Sequence, residues 1–228
     1  EIQKKDIRIN DIVYVKRAGD VIPEIDRVCF EERHNSKQIV PPKICPACKT
    51  PLLKVSQQSI YRCPNRIGCK PQIIQTIEHF TSRKAMNISG LGESIIESLV
   101  NNSYVKNYSD LYKLNQVDMM KLDRLAEKSS KNIIDSINSS EIVDFDRFIY
   151  ALGIKEVGTT TAKILSKKYN SLNKLMSADK QSLECINDIG PIVGDNIFNF
   201  FQLKRNIAII ESLLSSGVTI KYHQTKKN

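Results

Sequence analysis

From residue 88 onward the apolar positions recur in blocks. "ISGLGESIIESL" from Ile88, "LDRLAEKSSKNI" from Leu122, "IKEVGTTTAKIL" from Ile154 and "INDIGPIVGDNI" from Ile186 align without gaps, starting 34, 32 and 32 residues apart. The first position is apolar in every copy (Ile88, Leu122, Ile154, Ile186), as are the fourth (Leu91, Leu125, Val157, Ile189) and the twelfth (Leu99, Ile133, Leu165, Ile197). The fifth is Gly92, Ala126, Gly158 or Gly190. The ninth is small in three copies (Ser130, Ala162, Gly194) and Ile96 in the first. An internal period of this size predicts stacked two-helix units. Between the copies, "SDLYKL", "SSEIVDFDRFIYAL", "NSLNKLMSADKQSL" and "NFFQLKRNIAIIESLL" keep apolar residues three and four apart, which predicts helices. Ser109, Ser171 and Ser177 are the expected N-caps.

The pattern before the repeats is different. "IRINDIVYVKRAGDVIPEIDRV" alternates as two strands joined around Gly19, with Pro23 marking an edge or a bulge. Two strands cannot close a core. They read as the last part of a small barrel, and the chain, which opens on Glu1, is expected to be a piece of a longer protein. The expected fold class is therefore mainly α with small β parts. Its divisions are 1–40 as barrel strands, 41–75 as a finger described next, 76–222 as the four repeats and 223–228 as a polar tail.

Four of the six cysteines crowd into "CPACKTPLLKVSQQSIYRCPNRIGC", with Cys45 and Cys48 in one tight turn and Cys63 and Cys69 in another. "LLKV" and "SIYR" read as a hairpin placing the two turns side by side, and Pro46 and Pro64 stiffen them. Four thiolates so arranged suit a tetrahedral zinc site. Two disulfides or four buried thiols are the competing readings, the first weakened by the lack of a secretory signal and the second because apolar packing would not cluster cysteines at these spacings. With all four positions filled by sulfur, the zinc would be structural and not catalytic. Cys29 and Cys185 stand alone and read as packed residues; His34 sits in a polar loop, and His79 reads as opening a helix.

The formal charge of +9 is unevenly spread: residues 1–84 hold 16 basic and 9 acidic residues, residues 85–228 hold 18 and 16. A basic first third favours a polyanion, most simply nucleic acid. No run approaches the roughly 20 apolar residues of a membrane span, and the first residues lack the core of a signal peptide. A soluble, cytoplasmic protein with no membrane partner is expected.

In each repeat the glycine is expected to turn with positive φ and to bring the backbone close to what it faces, while the small ninth residue lets two helices cross. The turn then delivers a helix N-terminus, whose free amides and dipole favour an anion. A nucleotide-binding loop would need a Gly-Lys pair that "GPIVGDN" lacks. Helical hairpins that merely pack, with glycines as caps, are the plainer reading.

These copies resemble the helix-hairpin-helix family of DNA-binding motifs. Taken in order, "RAGDVIP", the four cysteines, "HF-x-SR-x-AMNI-x-GLGE-x-IIE-x-L", "ALGI-x-EVG-x-TTAK" and "IGP-x-V" resemble the carboxy-terminal half of bacterial NAD-dependent DNA ligase along essentially the whole chain. The resemblance implies that the first strands close an OB-fold barrel. It also implies that zinc sits on Cys45, Cys48, Cys63 and Cys69 and that four hairpins hold nicked double-stranded DNA during nick sealing in replication and repair. By position it places phosphate contacts near Gly90, Gly92, Gly158, Thr159 and Gly190, with Lys16 and Arg17 facing DNA from the barrel strands. No Lys-x-Asp-Gly occurs to take AMP from NAD; "KLDR" at Lys121 comes nearest. No catalytic residue is therefore expected. NAD and magnesium would belong to an adenylation domain before Glu1, and a BRCT-like domain would follow Asn228. This piece, expected to be a monomer, would be inactive alone. A freestanding DNA-binding or nuclease-accessory module is the alternative. A glycosylase built on the same hairpin would need a later Asp, and none follows Asp195.

Overall fold

The computed structural model describes residues 1–19, 22–54, 60–123 and 125–222. It divides into two compact units, Glu1–Pro64 and Asn65–Asn228.

In the first unit, β1 (Arg8–Ile9) pairs antiparallel with β4 (Lys37–Gln38), and β2 (Val13–Ala18) with β3 (Ile22–Val28). Gly19 follows β2 with a φ of +62°. Pro23 pairs with Arg17 in regular register. The irregularity comes where Tyr14 opposes Arg27 but Val15 opposes Ile25, so that Asp26 is the extra residue of a bulge. The cysteine segment contributes β5 (Leu53–Lys54) and β6 (Tyr61–Arg62), antiparallel with Leu53 opposite Arg62, the pairing expected of "LLKV" and "SIYR", of which Val55 and Ser59 lie outside the described residues.

Among the described residues of this unit only Val28, Cys29 and Cys45 are buried, while Val15, Ile22 and Val40 are 60%, 68% and 71% exposed. So little apolar burial leaves the hydrophobic effect a minor support. Polar contacts take its place. Arg33 donates from Nε to Asp11 Oδ1 (2.8 Å), from Nη2 to Asp11 Oδ2 (2.7 Å) and to the Asp6 carbonyl, and from Nη1 to Asp6 Oδ2 (2.6 Å). This fork holds both carboxyls below the usual carboxylate range.

The second unit is helical. Its elements are α1 (Lys70–Thr81), α2 (Glu93–Asn101), a 3₁₀ segment Tyr108–Lys113, α3 (Gln116–Met120), α4 (Glu127–Ser139), β7 (Ile142–Asp144), α5 (Phe145–Ala151) and α6 (Thr159–Tyr169). They continue with α7 (Leu172–Met176), α8 (Lys180–Glu184), α9 (Pro191–Gln202), α10 (Lys204–Ser215) and β8 (Thr219–Lys221). Four pairs pack in sequence, α1 with α2, α3 with α4, α5 with α6 and α8 with α9. The repeat positions explain why. All four twelfth residues are buried, as are Ile88, Leu122 and Ile154 at the first position and Leu91, Val157 and Ile189 at the fourth. The ninth residues are buried at the helix contacts; a Cβ on Gly194 would meet Glu184 Cγ at 3.0 Å. Phe80 stacks on Tyr108 with centroids 4.4 Å apart, and Phe80, Phe145 and Phe148 are the largest fully buried side chains. Parallel pairing of β7 with β8, Ile142 opposite Thr219, returns the end of the unit to its middle. Among the described residues no helix is long and apolar enough to cross a membrane.

Four sequence readings change. His79 lies in the last turn of α1 and does not open a helix; its Nε2 is 2.8 Å from the Tyr150 carbonyl. Ser109 lies inside the 3₁₀ segment that Asn107 caps, and Ser177 ends α7 while Asp179 caps α8; only Ser171 caps as expected, accepting from the Lys174 amide. In each failed case another capping side chain, Asn107 or Asp179, two residues away, took the role. Cys29 is buried, but Cys185, the C-cap of α8, is exposed.

Candidate functional site

The tips of the four pairs share one geometry. Gly92, Ala126, Gly158 and Gly190 are the N-cap residues of α2, α4, α6 and α9, with φ between −76° and −85° and ψ between 166° and 179°. These are ordinary extended angles, so the expectation of positive φ at the fifth position is overturned. The left-handed residue is the third of each copy: Gly90 (+87°), Glu156 (+63°) and Asp188 (+67°), with Arg124 outside the described residues. It belongs to a turn closed by the fourth residue's amide on the first residue's carbonyl, Val157 to Ile154 (3.1 Å) and Ile189 to Ile186 (3.0 Å).

What the fifth-position glycines supply is room. A Cβ on Gly92, Gly158 or Gly190 would meet nothing within 4 Å, and all three are exposed. Ala126 takes the same conformation with a side chain in place. Neither backbone angle nor internal packing requires glycine there. Gly90 is the opposite case, since its Cβ would lie 2.9 Å from Cγ1 of the buried Ile133 at an angle that already favours glycine. Gly90→Ala is expected to cost the fold about 2 kcal/mol, against near neutrality for Gly92→Ala, and chemical denaturation of the two variants measures the difference.

The tips differ in how much of the helix end is free. In α6 the first intrahelical bond runs from the Ala162 amide to Gly158 O, leaving the amides of Thr159, Thr160 and Thr161 directed past the helix end, with no acidic residue in the first turn. In α9 Pro191 has no amide to offer, and in α2 and α4 Glu93 and Glu127 already stand at the positive end. Lys16 and Arg17 are neighbours on β2 and so stand on opposite faces of the ribbon. Lys16 Nζ pairs with Asp26 Oδ1 at 3.1 Å.

The sulfur atoms of Cys45, Cys48, Cys63 and Cys69 lie within 4.8 Å of one another. Four thiolates about 2.3 Å from a zinc ion would stand about 3.8 Å apart, so the set fits a tetrahedral metal, and Cys48 Sγ and Cys63 Sγ are 3.4 Å apart. The first turn is built for it: the Cys45 amide donates to Thr50 O, the Lys49 amide donates to Cys45 O, and Lys49 takes a positive φ of 60°. The Thr50 hydroxyl, 3.2 Å from Cys48 Sγ, and the Thr50 amide lower the Cys48 thiol from 9.0 to about 6, which favours the thiolate that a metal binds.

Residues 1–37 match the family model of the NAD-dependent DNA ligase OB-fold domain, and residues 147–210, which span α6 and α9, match the helix-hairpin-helix motif. The chain is 42% identical over 219 residues to a DNA ligase of Nitrosococcus oceani, covering 96% of this chain and 32% of that protein. A DNA ligase of Legionella pneumophila is 41% identical over the same shares, and one of Chlorobium phaeobacteroides is 39% identical over 100% of this chain and 33% of that protein. The chain thus spans about a third of the length of the curated relatives it matches. With the OB-fold domain model of NAD-dependent DNA ligase matched at its start, a helix-hairpin-helix match in its helical unit and 39–42% identity along 96–100% of its length, the chain matches about a third of a bacterial DNA ligase.

Proposed function

We propose that this chain is the part of a NAD-dependent DNA ligase that grips double-stranded DNA, holding nicked duplex by its phosphates while the nick is sealed. The observation that carries the reading is the set of exposed glycines Gly92, Gly158 and Gly190, at helix starts where the protein itself has no use for the missing Cβ. A backbone phosphate that must come within hydrogen-bonding distance of main-chain amides has that use. Such contacts position a duplex without reading its bases. Lys16 and Arg17 add charge from the strand unit. Zinc on Cys45, Cys48, Cys63 and Cys69 holds the two cysteine turns together and takes no part in chemistry. The exposed apolar side chains Val15, Ile22 and Val40 fit covering by other parts of the longer ligase. NAD, magnesium and the AMP-carrying lysine belong to those parts, so the chain alone seals nothing.

The test is a titration of the purified chain against nicked duplex, intact duplex and single strand at two salt concentrations. Duplex binding that falls only modestly with salt is expected, because much of the grip comes from amides and not from lysines. A folded, metal-loaded chain that binds no duplex would sink the reading.

A further inference from the structure

Beside the third hairpin lies a cleft of about 350 Å³ lined by Lys84, Asp146, Arg147, Tyr150, Thr159 and Lys163. It gathers three cations against one carboxylate, Lys84 just before and the others within residues 85–228, whose 18 basic and 16 acidic side chains nearly balance. Arg147 is held there by backbone carbonyls. Arg147 donates from Nη2 to Arg83 O (2.6 Å) and Ala85 O (2.7 Å), and from Nε to Ala85 O (2.9 Å). It therefore clamps the backbone on both sides of Lys84. Because these acceptors are neutral carbonyls, the guanidinium charge is not cancelled. Lys163 stands one turn beyond Thr159 on the same face of α6. Neither Lys84 nor Lys163 forms an ion pair among the described residues, whereas Lys113, Lys121 and Lys180 all do.

The cleft adjoins the one tip whose first turn has neither an acidic residue nor a proline. We infer that Lys84, Arg147 and Lys163 form a phosphate site of their own, which takes a backbone phosphate of the duplex next to the one on the α6 tip. The third hairpin is then the strongest of the four anchors. Arg147 acts in it chiefly as a positioning residue, fixing where Lys84 projects. The inference rests on the duplex-gripping reading, and free inorganic phosphate is the other source of the same chemistry.

The experiment uses the whole chain and two double variants with equal loss of charge. Lys84→Gln with Lys163→Gln removes the two unpaired ammoniums. Lys113→Gln with Lys121→Gln removes two that already pair with Asp110 and Asp118. All four side chains are exposed, so melting curves should overlay the parent's. Nicked duplex is titrated over a salt series, and inorganic phosphate is titrated separately while the Thr159 to Lys163 amide resonances are followed.

The first variant is expected to lose at least tenfold in duplex affinity at low salt and to lower the slope of log affinity against log salt by about one, as for one phosphate contact removed. The paired-lysine control should change little. If the parent binds duplex and the two variants weaken alike, the cleft is no anchor, although the hairpin reading stands. If the cleft variant loses inorganic phosphate but keeps its duplex affinity, the site serves free phosphate and the inference is overturned. A parent that binds no duplex overturns both readings together.

Discussion

Gly158→Val combined with Gly190→Val will cost the chain about a hundredfold or more in duplex affinity while leaving its fold nearly as stable as before. The stability half follows from the tips themselves. Both glycines have extended angles that a β-branched residue adopts readily, and a Cβ at either meets no protein atom within 4 Å. Ala126 holds the equivalent position in α4 with the same angles. The cost should be confined to a slightly poorer cap, about 1 kcal/mol at most per site, or a few degrees of melting temperature for a chain of this size. The binding half follows from what the new side chain blocks. Isopropyl groups over the α6 and α9 tips would hold a phosphate off the amides, and a hydrogen bond to a charged group is worth about 1.5–3 kcal/mol, which is tenfold or more per tip. Measured melting curves and duplex titrations decide the matter jointly. A large fall in melting temperature would mean that the glycines serve the fold, and an unchanged affinity would mean that no phosphate approaches these tips.

The contrast with Gly90 marks what the sequence could and could not convey. Periodicity made the architecture legible, because buried residues at fixed intervals are what bring two helices together. Ile88, Leu122 and Ile154 and all four twelfth-position residues are buried where that pattern puts them, with Leu125 partly buried against the same core. The reason for each glycine was not legible, because a glycine letter does not say whether it answers a backbone angle, a neighbour or open space. Gly90 answers the first two and Gly158 the third. The strained angle of the third and fourth copies falls on Glu156 and Asp188, residues that do not advertise it. Long-range polar contacts were hidden for a different cause: the Arg147 clamp joins residues 62 and 64 positions apart, and nothing local in "DFDRF" points to it. The same holds for Arg33, which reaches Asp6 and Asp11 at 27 and 22 positions' distance. The cysteine cluster was legible because tight turns leave thiolates little choice of partner.

Cys63→Ser will abolish stoichiometric metal binding and unfold much of the segment around residues 43–63. A half-built apolar core is all that this unit has to fall back on, since Val28, Cys29 and Cys45 are its only buried residues among those described. The β5 and β6 strands are two residues each, too short to pair stably without a further constraint. Binding of zinc to four thiolates supplies on the order of 10–16 kcal/mol in small zinc domains, far more than so small a unit gains elsewhere. Cys63 is the informative ligand because it is only half-buried, whereas Cys45 and Cys69 also serve packing. Elemental analysis should give one zinc per parent chain and none per variant. Hydrogen exchange should lose protection in residues 43–54 and 60–63, with the unfolding transition of the helical unit retained, since its core is built from Ile77, Phe80, Phe148 and their neighbours. Cys185→Ser, at an exposed helix end, should change neither readout. If the parent is metal-free and loses the same protection to a reductant instead of a chelator, the four sulfurs are disulfides and the metal assignment falls.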